Sequence, residues 1–525
     1  MQDQTGSGVK VAVIDSGLEI AHEDLKANVL SGRSYDFINS DNDPTSWSRD
    51  GDHGTSVAGL IAATGFNDLG GRGVAPDASL MGLNWLQSQS FLHWQQSLGG
   101  TRTDDARVIN LSYGLDVSGP MTFFDSWNNA AESHLAQVQA SNNSGKGIVL
   151  MKSAGNSFEE VGTSMTINGR NIYAIGNYHY VHRWSGHIAG TEPESSSIYY
   201  TVISALNAYG SRSSYSSTGA SVWVSAPGGE YGTSSPAMIT TDQSGCSSGY
   251  AKSSESGFDG GSEENESCNY TSSFNGTSSA APVASGVAAL IIAANPDLHW
   301  RDVRHILAAT AVKIDKSFLP VSFSDNGQSF YAEPGWITNN AGYHFHNWYG
   351  FGMVDATAAV TMATDAGYES LGPLQSTGFV SATTVSPVTI PESADGVTRT
   401  VAISDNYSVE GVQVRFSASH SRDADISVEI TSPAGTRSLV LPPRSLLVLD
   451  QDDYQDADFA DTVLLSNAFY GESSQGNWTI TVRDTNSGDF NFFGYDANTD
   501  QTVLITTSNP ASGTLGSVSL RIYGH

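Results

Sequence analysis

Two apolar runs constrain the fold more than any other feature of this chain. From Val9 to Asp15 it reads VKVAVID and turns at Ser-Gly; from Ile148 to Ala154 it reads IVLMKSA and turns at Gly-Asn. Strands that are apolar almost without alternation are buried on both faces, as in a parallel sheet covered on each side by helices. Helical patterns follow in HGTSVAGLIAATG from His53, SWNNAAESHLAQVQA from Ser126 and SSAAPVASGVAALIIAANP from Ser278. The alternation predicts an α/β layered unit with a parallel sheet over residues 1–370.

Past about Ser376 the helical period disappears. Short alternating segments take over at Gly411 to Ser417, Ile426 to Ile430, Ser438 to Leu441, Trp478 to Val482, Val503 to Thr507 and Val518 to Ile522. They predict an all-β sandwich or jelly roll over residues 376–525, joined through ESLGPLQSTG.

Charge narrows the partners. Lys plus Arg number 24 against 54 Asp plus Glu, a net charge of −30, and no basic cluster interrupts the acidic excess. Such a surface repels phosphate backbones and favours cations, whether calcium or Lys/Arg-rich polypeptides. Nucleic acid is therefore excluded as a partner. No apolar run reaches the ~18 residues of a membrane span, and MQDQTGSG lacks the basic and apolar regions of an export signal. The expectation is a protein without a membrane span whose signal segment has been removed. Cys246 and Cys268, the only cysteines, lie in a polar stretch where burial as free thiols has little to recommend it; a single disulfide is expected.

Three segments place reactive side chains at the edges of regular elements: Asp15 at a strand end, His53 and Ser278 at helix starts. Acyl transfer by a serine needs a base within reach of the hydroxyl, and a carboxylate that holds the base in the right tautomer. Any one segment is weak alone. Together VIDSG, HGTSVAGLIAA and NGTSSAAP run in the order Asp, His, Ser, and on these motifs the chain resembles the subtilisin-like serine peptidases over residues 8 to 312.

The resemblance implies a catalytic triad of Asp15, His53 and Ser278. Asn156 in SAGNS, which alone would read as a turn residue, is then similar to the family's oxyanion asparagine. Ser112, Tyr113 and Gly114 match the edge to which an extended peptide adds as a strand. Pro282 is expected in the first turn of the Ser278 helix, where its missing N–H costs little.

Asp36, Asp41 and Asp43 form D-x4-D-x-D, three carboxylates that repel unless a hard cation lies between them. The same positions match a calcium loop of the kexin and furin branch. The resemblance implies a second calcium site from Asp24, the Asn67 side chain and the carbonyls of Thr64, Leu69 and Gly71. NPDLHWRDVRHIL, HSRDADISVEITSPAGT, GNWTITVRDTNSG and GTLGSVSLRIYGH extend the likeness to that branch and its C-terminal P domain. Val518 stands where the branch usually has Trp.

In that branch, acids in the first two subsites meet basic residues before the cleaved bond. Asp50 matches a second-subsite acid and Asp116 lies close to a first-subsite one, with Glu192 and Glu194 as weaker candidates beside an atypical insertion. Ser16, however, replaces the branch's second aspartate after Asp15. The expected function is a secreted, calcium-stabilised serine endopeptidase preferring Lys/Arg, singly or in dibasic pairs, before the scissile bond. Broad subtilisin-like specificity is the alternative; a non-catalytic calcium-dependent binding protein is the competing class. The resemblance also implies an inhibitor and folding chaperone, as a propeptide or a separate protein.

Overall fold

The computed structural model describes residues 4–48, 51–114, 129–158, 160–167, 170–176, 187–252, 257–325, 327–384, 386–443, 445, 458–486, 488, 490–496, 501–507 and 512–525. Its first unit is built on six strands: β1 (Lys10–Ile14), β2 (Ser79–Leu83), β3 (Val108–Leu111), β4 (Val149–Ser153), β5 (Tyr200–Leu206) and β6 (Val222–Pro227). They pair in the order β2-β1-β3-β4-β5-β6, all parallel, with Ala12 opposite Ile109 and Ile109 opposite Leu150. Both apolar runs are central strands, and their side chains are almost wholly buried.

Helices α1 (His53–Ala62), α2 (Asn129–Ser141), α3 (Thr277–Ala294) and α4 (Trp300–Thr310) cover the sheet. By length and mean hydropathy α3 could cross a membrane, but 83% of it is buried inside the fold, so its apolarity serves the core. The start of α3 differs from expectation. The helix opens at Thr277, which makes Pro282 its sixth residue, not part of its first turn. A proline there leaves the carbonyl four residues back without its helical N–H. That carbonyl belongs to Ser278, and it accepts a hydrogen bond from Ser112 Oγ at 2.9 Å instead.

Two antiparallel sheets form the body of the second unit among the described residues. One pairs Thr514–Gly524 with Val409–Ser419 and Val409–Ser419 with Phe459–Ser466; the other runs Val397–Ile403, Gly476–Asp484, Ile426–Thr431, Arg437–Leu441. Phe416, Ile430, Trp478, Val482 and Leu520 fill the space between them.

The two units are tightly joined. Gln413 Nε2 donates to Ser196 O at 2.7 Å, and Asn467 Nδ2 to Ser221 O at 2.8 Å. The junction is strapped down by Asp302, which accepts from Leu371 N and Ser370 Oγ. The hairpin Glu160–Ile167/Arg170–Gly176, inside the segment that reads as an atypical insertion, pairs in parallel with strand Phe490–Asp496 of the second unit. The result is a four-stranded sheet shared between the units.

Candidate active site

Parallel strands end at one edge of a sheet, and ligands of open α/β sheets bind outside that edge. Asp15 follows β1, Ser112 follows β3 and Asn156 lies just past β4, so the sheet delivers all three there. His53 opens α1, whose preceding residue Asp52 has extended backbone. His53 Nδ1 lies 2.8 Å from Asp15 Oδ1; the carboxylate accepts, which leaves Nε2 as the ring's lone-pair nitrogen. Asp15 is fully buried and also accepts from Ser16 N at 2.7 Å. The Phe274 ring packs edge-on to His53 at 5.2 Å.

Burial pulls the His53 imidazolium pKa down. The charge and hydrogen bond of Asp15, with the charge of Asp52, outweigh it and hold the ring above its ordinary value.

Asp52 was not legible as a site residue. It is fully buried beside His53, and burial pushes its carboxyl up to about 7 against the hydrogen bonds it accepts from Ser46 N, Thr55 and Ser16 Oγ. The hydroxyl of Ser16, standing where the branch has an aspartate, is thus turned onto a different acid.

Ser278 Oγ donates to Ser112 O at 3.3 Å, and Ser112 Oγ returns a bond to Ser278 O. Asn156 Oδ1 accepts from Thr277 N at 2.8 Å and from Thr277 Oγ1 at 2.9 Å, which fixes the amide with Nδ2 beside the turn at Gly276. Gly276 has φ +96°, a left-handed conformation, and a Cβ there would stand 3.2 Å from Asn156 Nδ2. The arrangement offers a base–carboxylate pair, a serine hydroxyl at a helix N-terminus and a fixed amide donor, the parts that acyl transfer requires.

A cavity of about 840 Å³ opens beside Tyr113 and Gly114, lined also by Trp85, Trp94, Glu192 and Glu194. Of the two acids, Glu192 accepts from the buried Lys152 ammonium at 2.8 Å. Glu194 is pushed up by burial against the lowering charge of Lys152. Asp50 and Asp116 lie outside the described residues.

The two candidate calcium sets differ. Asp36 Oδ1 accepts from Ile38 N, Asn39 N and Asn84 Nδ2, while Asp41 and Asp43 each accept an N–H two residues further on. Among the described residues, no group of three or more acidic, His or Cys side chains is arranged to hold a metal. Around Asp24 the donors do come together. Asn67 Nδ2 reaches Asp24 Oδ1 at 2.7 Å and Thr64 N reaches Asp24 O, while Asp24 Oδ2 is buried with no hydrogen-bond partner. Cys246 and Cys268 form the expected disulfide.

Comparison with known proteins agrees with this geometry. Residues 6–352 match the model of the subtilase family and residues 409–494 that of the proprotein convertase P-domain. The chain is 38% identical to the Aeromonas extracellular serine protease of Aeromonas sobria, over 99% of this chain and 84% of that one. It is 28% identical to a calcium-dependent protease of Trichormus variabilis, over 92% and 64%. The solved Aeromonas sobria serine protease superposes with a TM-score of 0.86 at 36% identity, covering 99% of this chain and 89% of that one. Its complex with the chaperone ORF2 gives 0.84 at 35%, covering 99% and 88%. On these matches the chain belongs to the subtilase family, as a serine endopeptidase whose subtilisin-like catalytic unit is followed by a mostly β P domain.

Proposed function

We propose that this subtilase is a secreted, calcium-stabilised endopeptidase acting through Asp15, His53 and Ser278, with residues 1–370 as its catalytic domain and 376–525 as its P domain. The observation that carries the reading is the 2.8 Å bond between a buried Asp15 and His53, at the sheet edge where Ser278 also lies. His53 Nε2 takes the Ser278 proton as the hydroxyl attacks the substrate carbonyl, and Asp15 stabilises the imidazolium. Asn156 Nδ2 and the Ser278 backbone N–H stabilise the oxyanion; His53 then protonates the leaving amine, and water hydrolyses the acyl-enzyme. The extended substrate lies along Ser112, Tyr113 and Gly114.

Preference for Lys or Arg before the scissile bond is supported by the acidic surface, by Glu194 on the cavity and by the positions of Asp50 and Asp116 in the sequence. Broad specificity is the second reading, favoured by Ser16 and by the Lys152 charge that neutralises Glu192. A peptide panel varying the two residues before the bond separates them. Cleavage at least tenfold faster after Lys or Arg is expected; equal rates after Lys, Leu and Phe would reject the basic preference.

Asp52 shapes the pH dependence. A base must be unprotonated, so activity falls as His53 gains its proton, and an ionised Asp52 makes that proton harder to lose. Asp52 titrates near 7, so two coupled ionisations spread the acid limb. Asp52→Asn should leave a one-proton limb in the kcat–pH profile, displaced to lower pH. A limb of unchanged position and breadth would remove Asp52 from this role.

The Asp24 site fits calcium, because Asp24 Oδ2 is a buried carboxylate oxygen without a hydrogen-bond partner among the described residues, in a carboxyl that only the Asn67 amide and the Gly71 N–H approach as donors. Rotation of the Asn67 amide would add its oxygen, and Thr64, Leu69 and Gly71 would add carbonyls. Bound calcium supplies charge neutralisation that ties the 64–71 loop to the Asp24 segment. The Asp36 loop fits less well, since the Asp36 oxygens are already engaged by N–H donors. At 100 times its dissociation constant, a ligand of the native state adds about 2.7 kcal/mol. Chelation should therefore lower the calorimetric Tm by several degrees, and Asp24→Asn should abolish most of that difference. An Asp24→Asn protein that keeps the full calcium response would place the ion elsewhere. The solved complex of the Aeromonas sobria protease with a chaperone supports a chaperone as partner here. Secretion is supported by the extracellular serine protease that the chain resembles.

A further inference from the structure

Lys152 is the one charged residue within the apolar run of β4, and its side chain is fully buried. A buried ammonium is tolerated only when its donors are met. Lys152 Nζ donates to Tyr113 O at 2.5 Å, to Glu192 Oε2 at 2.8 Å and, weakly, to Ser153 O at 3.4 Å. Ser153 Oγ gives the Tyr113 carbonyl a second donor at 3.2 Å. The other Glu192 oxygen lies under Gly114, where a Cβ would stand 2.3 Å from Oε1, so that a larger residue there would have to displace the Glu192 carboxylate. The Tyr113 carbonyl is thereby drawn into the fold, whereas the neighbouring Ser112 carbonyl faces Ser278 Oγ.

We propose that Lys152, neutralised by Glu192, is a positioning residue that sets the pitch of the Ser112–Gly114 edge and so governs how strongly the enzyme binds an extended peptide upstream of the cleaved bond. The proposal rests on the reading of Ser112–Gly114 as the substrate-binding edge. Lys152 touches neither the substrate nor the reacting atoms; it acts by fixing which way the Tyr113 carbonyl points. It also commits Glu192 to an internal pair, which leaves that acid unavailable to a basic substrate side chain.

The arrangement separates long substrates from short ones. A peptide ester with four residues before the bond uses the edge, whereas an N-acetyl amino-acid ester with the same residue at the bond uses almost none of it. The double variant Lys152→Met/Glu192→Gln removes both charges at nearly constant shape. With competent enzyme counted by fluorophosphonate titration, the ratio of kcat/KM for the long ester to that for the short one should fall at least tenfold, mainly through KM. A general loss of folding lowers the titrated fraction and leaves the ratio unmoved. Glu192→Gln alone, which keeps the bond from Lys152 to Tyr113, should lower the ratio by two- to threefold; it serves if the double variant does not fold. A ratio unchanged per titrated site in the variants would overturn the role of Lys152. A wild-type enzyme that hydrolyses both esters with equal kcat/KM would overturn the edge reading beneath it instead.

Discussion

Ser278→Ala is expected to lower kcat on a peptide substrate by about 10⁶-fold, and the double variant Ser278→Ala/His53→Ala should be no worse than either single one. The two groups act on one proton, so once the hydroxyl is gone the imidazole has nothing to deprotonate. Whatever rate remains comes from the oxyanion donors and binding alone. Asn156→Ala should cost about 10² to 10³ in kcat with KM little changed, because the amide meets charge that exists only in the transition state. The structure sharpens this expectation. Asn156 Oδ1 is held by two donors from Thr277, so the amide is fixed before substrate arrives and no reorganisation is required during reaction. Fluorophosphonate labelling with mass mapping is the complementary measurement. Wild-type protein should label at Ser278 and Ser278→Ala should not; labelling at another serine, with turnover intact in Ser278→Ala, would sink the assignment.

The parts of the site that sequence carried were those written as local strings. VIDSG, HGTS and NGTSSAAP each contain a reactive side chain and the small residues around it, and the parallel sheet brings their ends to one edge. What the sequence did not carry were pairings across long separations. The lysine inside IVLMKSA carried no reading of its own, although a buried ammonium demands a partner. Nothing near it in sequence identified Glu192, 40 residues on. Asp52 adjoins His53 in the chain, but its weakness as an acid comes from burial, opposed by hydrogen bonds from Ser46, Thr55 and Ser16, which is a property of the fold. Pro282 was misplaced by one turn because helix ends are the least legible feature of a pattern, and the carbonyl it frees became half of the Ser112–Ser278 exchange. The sheet shared by the two hairpins had no sequence signal, because a parallel pairing between units leaves no trace in either strand's own period.

The second large effect is expected at the seam between the two units. Arg301, on α4, donates Nε to Glu410 Oε2 at 2.8 Å, pairs through Nη2 with the other carboxylate oxygen, and reaches Gly372 O through Nη1 at 2.7 Å. His525 Nδ1 lies 2.9 Å from the same carboxylate. Arg301 and Glu410 are both buried, so removing Arg301 leaves the Glu410 carboxylate paired with His525 alone among the described residues, in a poor solvent for charge. That loss is typically about 3–5 kcal/mol. Arg301→Met should therefore destabilise the protein by about that amount in denaturant unfolding at pH 7, while Arg301→Met/Glu410→Met should recover most of it, since a packed apolar pair is often as stable as the ion pair. Acid supplies a second signature. Burial pushes the Glu410 carboxyl up, but His525 and Arg301 outweigh it and leave the folded pKa below the ordinary glutamate value. A carboxylate with a depressed folded pKa contributes stability above its unfolded pKa and loses it as pH falls through the folded one. The gap between wild type and Arg301→Met should thus be widest at neutral pH and narrow below the ordinary glutamate range. A gap that is constant from pH 7 to pH 3, with no recovery in the double variant, would assign the seam's stability to side-chain packing and not to the ion pair.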